Sequence, residues 1–420
     1  MNATIKRAPG GIGGTITAPP SKSMAHRAVL CSALAEGASH IENLEFSKDI
    51  SATLSAAGQL CAKVRTGADR AVVEGLGSFL PVSAPVDCCE SGSTLRFLIP
   101  IASLTGQKVT FVGRGRLMER PQTVYEKLYQ EQSLRFEQSS AGLTVEGTLK
   151  SSEYELAGDV SSQFVSGLLF ALPLLPGNST LTVQQPVESE SYIRMTIEAI
   201  AASGIEVQES SAFSWRIPGH QQYKSHSCHL NGDYSQAAVL CCAGALGHDI
   251  TVTHLSPVTT QGDRAILRHL MALGATVEES DNHIRVKAGK LHGATLDMHD
   301  CPDIAPILAL TAQLAEGESR LTHCGRLRLK ECDRLAATVE ILNLLGGDAQ
   351  ADGDDIVLHG VKQLRGGVTL PNYGDHRMVM LASIAATKCE QPIEMDGIEA
   401  IDKSWPEYLK VYQMLGGKCE

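Results

Sequence analysis

The chain has 420 residues, 43% hydrophobic and 20% charged, which excludes a disordered or collagen-like polymer and makes two or three domains the expectation. Its net charge of −11 excludes a general binder of nucleic acid or anionic membrane, so an anionic ligand would need positive charge gathered in one place. The aromatic share of 5% argues against a base-stacking platform, and the longest apolar-rich run, Phe164 to Pro176, falls short of a bilayer span.

Taken in chain order, the opening MNATIKRAPGGIGG has neither the apolar core of a secretory signal nor an Arg/Ser-rich amphipathic stretch, so a cytoplasmic protein is expected. Its GGIGG (10–14) matches neither GxGxxG nor a Walker A loop, so nucleotide binding is not supported. PPSKSMAHRAVLCSALAEG (19–37) opens a helix with Ser21, Lys22 and Ser23, and Arg27 follows one turn later. Hydroxyl residues at a helix start leave backbone N–H groups and the positive end of the helix dipole for an anion. The pattern recurs in CCESGSTLRFLIP (88–100), where Ser91-Gly92-Ser93-Thr94 opens a helix and Arg96 lies one turn in. GRGRLMERPQ (113–122) is an arginine-rich loop with Arg114, Arg116 and Arg120 before a helix, and DVSSQFVSGLLFALPLL (159–175) starts an apolar helix with Ser161-Ser162-Gln163. One such start is usually only a capped surface helix. Four in one half of the chain point to a phosphorylated or carboxylated ligand.

The second half supplies carboxylates. Asp303 begins a helix after Pro302 in HDCPDIAPILALTAQLAEG. RLRLKECDRLAATVEIL (326–342) reads as a helix on which Lys330 and Arg334, four apart, share a face with Glu331 one position round. NYGDHRMVMLASIAA (372–386) puts Asp375, His376 and Arg377 at another helix start, and DKSWPEYL (402–409) carries Lys403. Asp303 and Glu331 are the plausible acid/base carboxylates. No Ser/His/Asp or Cys/His arrangement is legible. The 12 cysteines include no CxxC pair, and the adjacent His299, Asp300 and Cys301 have the wrong spacing for three ligands on one element, so no metal is expected.

A repeat organises these motifs. An apolar helix, a short turn and a strand recur with turn positions at Gly37, Gly106, Gly177, Gly247, Gly317 and Cys389, a period of about 70 residues. A second helix–glycine–strand signature interleaves at Gly58, Gly204, Gly274, Gly346 and Gly416, with a glycine-free copy near residue 131. Each glycine of this second set is expected to cap its helix in the left-handed conformation. Six units of roughly βαβαββ pattern fill the chain, and two clusters of three would give two domains with a substrate cleft between them.

In order, PPSKSMAHRA, ESGSTLRF, GRGRLMERP, VSSQF, SESYIRMT, GDYSQAA, QGDRAIL, PDIAP, RLKECDR, YGDHRM and DKSWPEYL resemble the 5-enolpyruvylshikimate-3-phosphate synthase (3-phosphoshikimate 1-carboxyvinyltransferase) family of enolpyruvyl transferases, over about residues 10 to 410. The resemblance implies an α/β fold (α+β) of six βαβαββ units in two domains, 21–229 and 1–20 plus 230–420. It implies transfer of an enolpyruvyl group from phosphoenolpyruvate to the 5-hydroxyl of shikimate-3-phosphate, as a step of the shikimate pathway. It also implies a monomer with no cofactor, no nucleic-acid partner and no membrane association. By the same resemblance Lys22, Ser23, Arg27, Ser161, Ser162, Gln163, Ser189, Tyr192, Asp303, Arg326 and Lys330 would hold shikimate-3-phosphate. Lys22, Gly92, Arg120, Gln163, Arg334, Arg377 and Lys403 would hold phosphoenolpyruvate. Asp303, Glu331 and Lys22 would move protons.

Four positions depart from the family's pattern. Glu90, Arg326 and Gly374 stand where Asn is common, and Phe97 where many members have Pro or Leu, so glyphosate sensitivity does not follow from the sequence. The sister enzymes acting on UDP-N-acetylglucosamine usually carry a cysteine in the loop corresponding to 111–121, and FVGRGRLMERP has none. An RNA 3′-phosphate cyclase would need a nucleotide site and a basic RNA face. A non-catalytic relative would be expected to lack the carboxylates at 303 and 331.

Overall fold

Short strands of alternating burial and helices of two kinds build the chain. In Arg70–Leu76, for example, Ala71, Val73 and Gly75 are buried while their neighbours are more exposed, the period-two pattern of a sheet with one covered face. The computed structural model describes residues 2–8, 10–281 and 283–420. Met1 and Pro9, within the segment 1–20 that the resemblance assigns to the second domain, lie outside the described residues.

The chain divides into two compact units, Pro20–Leu230 and Met1–Pro19 with Asn231–Glu420, each with its own hydrophobic core. Among the described residues each unit holds three four-stranded sheets. Every sheet has the same order of pairings: one parallel edge pair, then two antiparallel pairs. In one, Ser227–His229 pairs in parallel with Glu36–Glu42, which continues antiparallel to Arg70–Leu76 and then Ala62–Thr66. The N-terminal strands join the second unit because Asn2–Lys6 pairs with Ile393–Asp396 and Gly13–Thr17 with Asp249–Thr253.

The first unit carries helices α1 (Lys22–Leu34), α2 (Lys48–Leu60), α3 (Gly92–Ala102), α4 (Thr123–Glu131), α5 (Ser162–Ala171) and α6 (Glu190–Ala202). The second carries α7 (Tyr234–Ala245), α8 (Ala265–Ala272), α9 (Ala305–Gln313), α10 (Arg334–Leu344), α11 (His376–Ala386) and α12 (Tyr408–Met414). Helices α7, α9 and α11 are buried along their whole length and pack on one another. Helices α8, α10 and α12 bury one face only. In the first unit α3 packs on α5, and α1 lies against α2 and α6. The end of α1 also meets Arg70–Leu76 so closely that a Cβ at Gly75 would sit 2.0 Å from the Ala35 carbonyl oxygen, which only glycine permits.

Two local expectations change. Gly58 is no cap: it lies inside α2, which runs on to Leu60 and passes directly into the strand Ala62–Thr66. Gly204, Gly274, Gly346 and Gly416 do take positive φ, and in the glycine-free copy Ser133 takes that place with φ 57°. Lys330 and Arg334 do not share a helix face. A 3-10 turn, Gly325–Leu329, ends at an extended Lys330, Asp333 caps the helix, and Arg334 is its first residue. Asp333 intercepts the pattern by accepting the Ala336 N–H at 3.0 Å, so the helix starts three residues after Glu331. Among the described residues no helix is long and apolar enough to cross a membrane, and the twelve cysteines are free thiols.

Candidate active site

In both units several chemistry-bearing residues, among them Lys22, Gly92, Gln163, Arg334 and Arg377, stand at helix starts, where unused backbone N–H groups and the helix dipole favour anions. In the second unit the centre is Arg334, 2% exposed and surrounded by three carboxylates. Its Nε donates to Asp375 Oδ2 at 2.7 Å, its Nη1 to Asp303 Oδ1 at 2.9 Å and its Nη2 to Glu331 Oε2 at 2.7 Å. Lys330 Nζ donates to the same Asp303 oxygen at 2.8 Å, and Lys403 Nζ lies 3.0 Å from Glu331 Oε1. Asp303 sits in the 3-10 turn Pro302–Ile304 that leads into α9, and Lys403 closes the turn Ile398–Lys403. Asp375 caps α11 by accepting the Arg377 N–H at 2.8 Å. The Arg377 guanidinium then reaches Ser235 at the start of α7, donating to its carbonyl at 2.8 Å and to its hydroxyl. Arg326, in the turn before Lys330, adds a further positive charge that acts on it.

The electrostatics follow from burial and neighbours. Burial works to raise the Asp303 pKa, but Lys330, Arg334 and Arg377 together hold it well below the ordinary carboxylate value. Burial lowers the Lys330 pKa, with Asp303 opposing and Arg334 and Arg326 reinforcing. For Arg334 burial is outweighed by Asp375, Glu331 and Asp303, so its pKa rises well above the usual value. Asp303 and Lys330 side chains remain 22% and 24% exposed, so a ligand can reach them, whereas Asp375 is sealed beneath Arg334. A ligand bearing two anionic groups would replace carboxylates as the partner of these cations.

The first unit holds two further groups. Lys22 Nζ donates to Asp49 Oδ2 at 2.8 Å. Arg27, on the same helix and 2% exposed, donates from Nε to Thr196 Oγ1 at 2.9 Å and from its two Nη atoms to the Ser23 and Tyr192 carbonyls, both at 2.7 Å. The Phe97 ring lies 5.3 Å from its guanidinium carbon. Burial brings the Arg27 pKa down to about 10, with Tyr192 opposing, and it stays charged at neutral pH. Ser161 caps α5, of which Ser162 and Gln163 are the first residues, and Ser189, with φ 55°, stands at the start of α6, which packs on α5. The second group joins Gly92, Arg120 and Gln163: a Cβ at Gly92 would lie 3.1 Å from Arg120 Nη1 and 3.5 Å from Gln163 Oε1. Gln163 accepts from Arg96 Nη1 at 2.8 Å and donates to Ser93 Oγ at 3.0 Å, which fixes its amide across the mouth of α3.

Beneath Lys22, His26 is buried, and burial lowers its pKa to about 3, with Asp49 opposing and Lys22 and Arg27 reinforcing. It is therefore neutral in the fold, while the unfolded chain takes up a proton near pH 6.5. A base whose folded pKa is depressed costs stability as pH falls from the unfolded value towards the folded one. We expect part of the unfolding free energy to be lost progressively from pH 6.5 down towards 3, and His26→Asn to lose less over that window. Denaturant unfolding of both proteins at pH 7 and 4.5 checks this, and equal losses would contradict it.

Sequence reasoning missed the partners that fix these groups. Asp49, Thr196 and Ser235 carry no local signal beyond lying in or beside helices, because their roles depend on tertiary pairing. Asp375 stood at a recognisable helix start, yet nothing in the sequence shows that it anchors Arg334.

On one unit two carboxylates stand among three cations, and on the other several helices start with residues ready for an anion; each set by itself has the chemistry of a site for anionic ligands. Residues 6–412 match the family model of EPSP synthase (3-phosphoshikimate 1-carboxyvinyltransferase), and the chain belongs to that family. It is 39% identical over 409 residues to the 3-phosphoshikimate 1-carboxyvinyltransferase of Clostridium kluyveri, covering 97% of this chain and 96% of the relative. It is 40% identical to that of Clostridium beijerinckii, covering 98% and 97%. The fold is similar to the solved EPSP synthase of Acinetobacter baumannii, with a TM-score of 0.82 at 24% identity over 100% of this chain and 99% of that one.

Proposed function

We propose that this chain transfers the enolpyruvyl group of phosphoenolpyruvate to the 5-hydroxyl of shikimate-3-phosphate and releases inorganic phosphate, as an enzyme of the shikimate pathway. The observation that carries the reading is the cluster of Asp303, Glu331, Lys330, Arg334 and Lys403, in which two carboxylates meet three cations within reach of a ligand. Family membership supports the same reading. The reading treats the protein as a cytoplasmic monomer.

The reaction needs clamps for anions and proton transfer in both directions. Arg27, Ser23, Ser161, Ser162, Gln163, Ser189, Tyr192, Arg326 and Lys330 hold shikimate-3-phosphate. Lys22, Gly92, Arg120, Gln163, Arg334, Arg377 and Lys403 hold phosphoenolpyruvate. In the addition step the 5-oxygen bonds to C2 of phosphoenolpyruvate, the hydroxyl proton passes to a base, and C3 gains a proton. In the elimination step the C2–O bond to phosphate breaks while C3 gives up a proton, and the vinyl ether remains.

Asp303 with its pKa held low by these cations is by itself a weak base. The substrates' own charge corrects this. Anionic groups bound to Lys330, Arg334 and Arg377 cancel the field that depresses Asp303 and raise its proton affinity when the acceptor hydroxyl is in place. The test is the product: proton NMR of a mixture of protein, phosphoenolpyruvate and shikimate-3-phosphate should show a vinyl ether on the 5-oxygen. Vinyl ether on UDP-N-acetylglucosamine instead, when that acceptor is offered, would replace this reading with the sister activity.

A further inference from the structure

A polar seam crosses the core of the first unit directly beneath Lys22. His26 Nδ1 lies 2.7 Å from Thr53 Oγ1. Thr53 Oγ1 lies 2.7 Å from Thr94 Oγ1, which donates to Ser91 Oγ at 2.7 Å. All four side chains are buried. The residues stand on or at the start of three helices, His26 on α1, Thr53 on α2, Thr94 on α3 and Ser91 as the cap of α3. Lys22 is one turn from His26 and pairs with Asp49, which is one turn from Thr53, so α1 and α2 are tied twice.

The unpartnered ring nitrogen of His26 orients the seam. Ser91 Oγ also accepts the Thr94 N–H at 3.1 Å. With the proton on Nδ1, His26 donates to Thr53, Thr53 to Thr94 and Thr94 to Ser91, while the Asp49 carbonyl, 3.2 Å from Thr53 Oγ1, is a second acceptor for the Thr53 hydroxyl. His26 Nε2, which has no hydrogen-bond partner among the described residues, is then a bare lone pair. The other tautomer would bury an N–H with nothing to receive it, the rarer and costlier arrangement.

We propose that His26, acting through Thr53 and Thr94, is a positioning residue that sets the starts of α1 and α3, and with them Lys22 and Gly92, for binding phosphoenolpyruvate. The inference rests on the reaction proposed above. Arg27 is held separately, by Thr196 and the Ser23 and Tyr192 carbonyls, so the shikimate-3-phosphate side depends on the seam far less.

Thr53→Val keeps the shape and cuts the seam in the middle, and His26→Leu removes its end. Each should raise KM for phosphoenolpyruvate about tenfold, with kcat within about threefold and KM for shikimate-3-phosphate within about twofold. His26→Asn puts an amide nitrogen near the place of Nδ1 and should restore the phosphoenolpyruvate KM to within about twofold of the parent. Unchanged KM in folded Thr53→Val and His26→Leu, or equal rises in both KM values with no rescue by Asn, overturns the proposal. The 15N imidazole spectrum of the unaltered protein supplies a readout free of folding and of turnover. A neutral His26 protonated at Nδ1 is expected, and protonation at Nε2 overturns the seam's direction. Should the unaltered protein release no phosphate from the two substrates, the proposed reaction fails while that spectrum still decides the seam.

Discussion

Asp303→Ala should bind both substrates and turn over at least about a hundredfold more slowly, the scale on which an acid/base group contributes. Asp303 accepts hydrogen bonds from Lys330 and Arg334 through one oxygen. Its removal frees both cations for an anionic substrate, so KM for phosphoenolpyruvate should stay level or fall while kcat collapses. Arg334 keeps Glu331 and Asp375, so the fold should persist. Steady-state kinetics with both substrates varied separates these outcomes. Near-parental kcat, or a loss confined to KM, would remove Asp303 from the chemistry.

Arg334→Met should destabilise the unit that contains it by about 3–5 kcal/mol, the usual cost of stranding buried charge. The side chain is fully buried and bonds three carboxylates, of which Asp375 has no exposed surface. Removal of the guanidinium leaves Asp375 facing Glu331 and Asp303 without their common partner. The remedy available to the variant is protonation, because a carboxylate left buried and unpaired has its pKa raised. The deficit should therefore shrink as pH falls from 7 towards 5. Urea unfolding of parent and variant at both pH values measures it. A deficit under about 1 kcal/mol at pH 7 would mean that Arg334 is not the keystone of the cluster.

The parts of the molecule legible in the sequence are those written in local chemistry. Ser21, Ser91, Ser161 and Asp375 cap helices where small polar residues precede apolar runs, and the substrate-facing groups follow those caps. The α/β class was legible from the alternation of apolar helices with short strands. Tertiary choices were not legible. Lys330 and Arg334 look like neighbours on a helix, and the Asp333 cap places the helix start between them; both still reach Asp303, Lys330 from the extended residue before the cap and Arg334 from the first position of the helix. The choice of Asp49 for Lys22, Thr196 for Arg27 and Ser235 for Arg377 depends on residues distant in sequence, which spacing cannot reveal. The His26 seam was equally silent, since a threonine inside a helix gives no sign that its hydroxyl crosses to another.

The most direct test of the proposed reaction is release of inorganic phosphate by the purified protein with phosphoenolpyruvate and shikimate-3-phosphate, each omitted in turn. The account predicts phosphate only when both are present. Release from phosphoenolpyruvate alone at the same rate, or none with the full mixture, would contradict it.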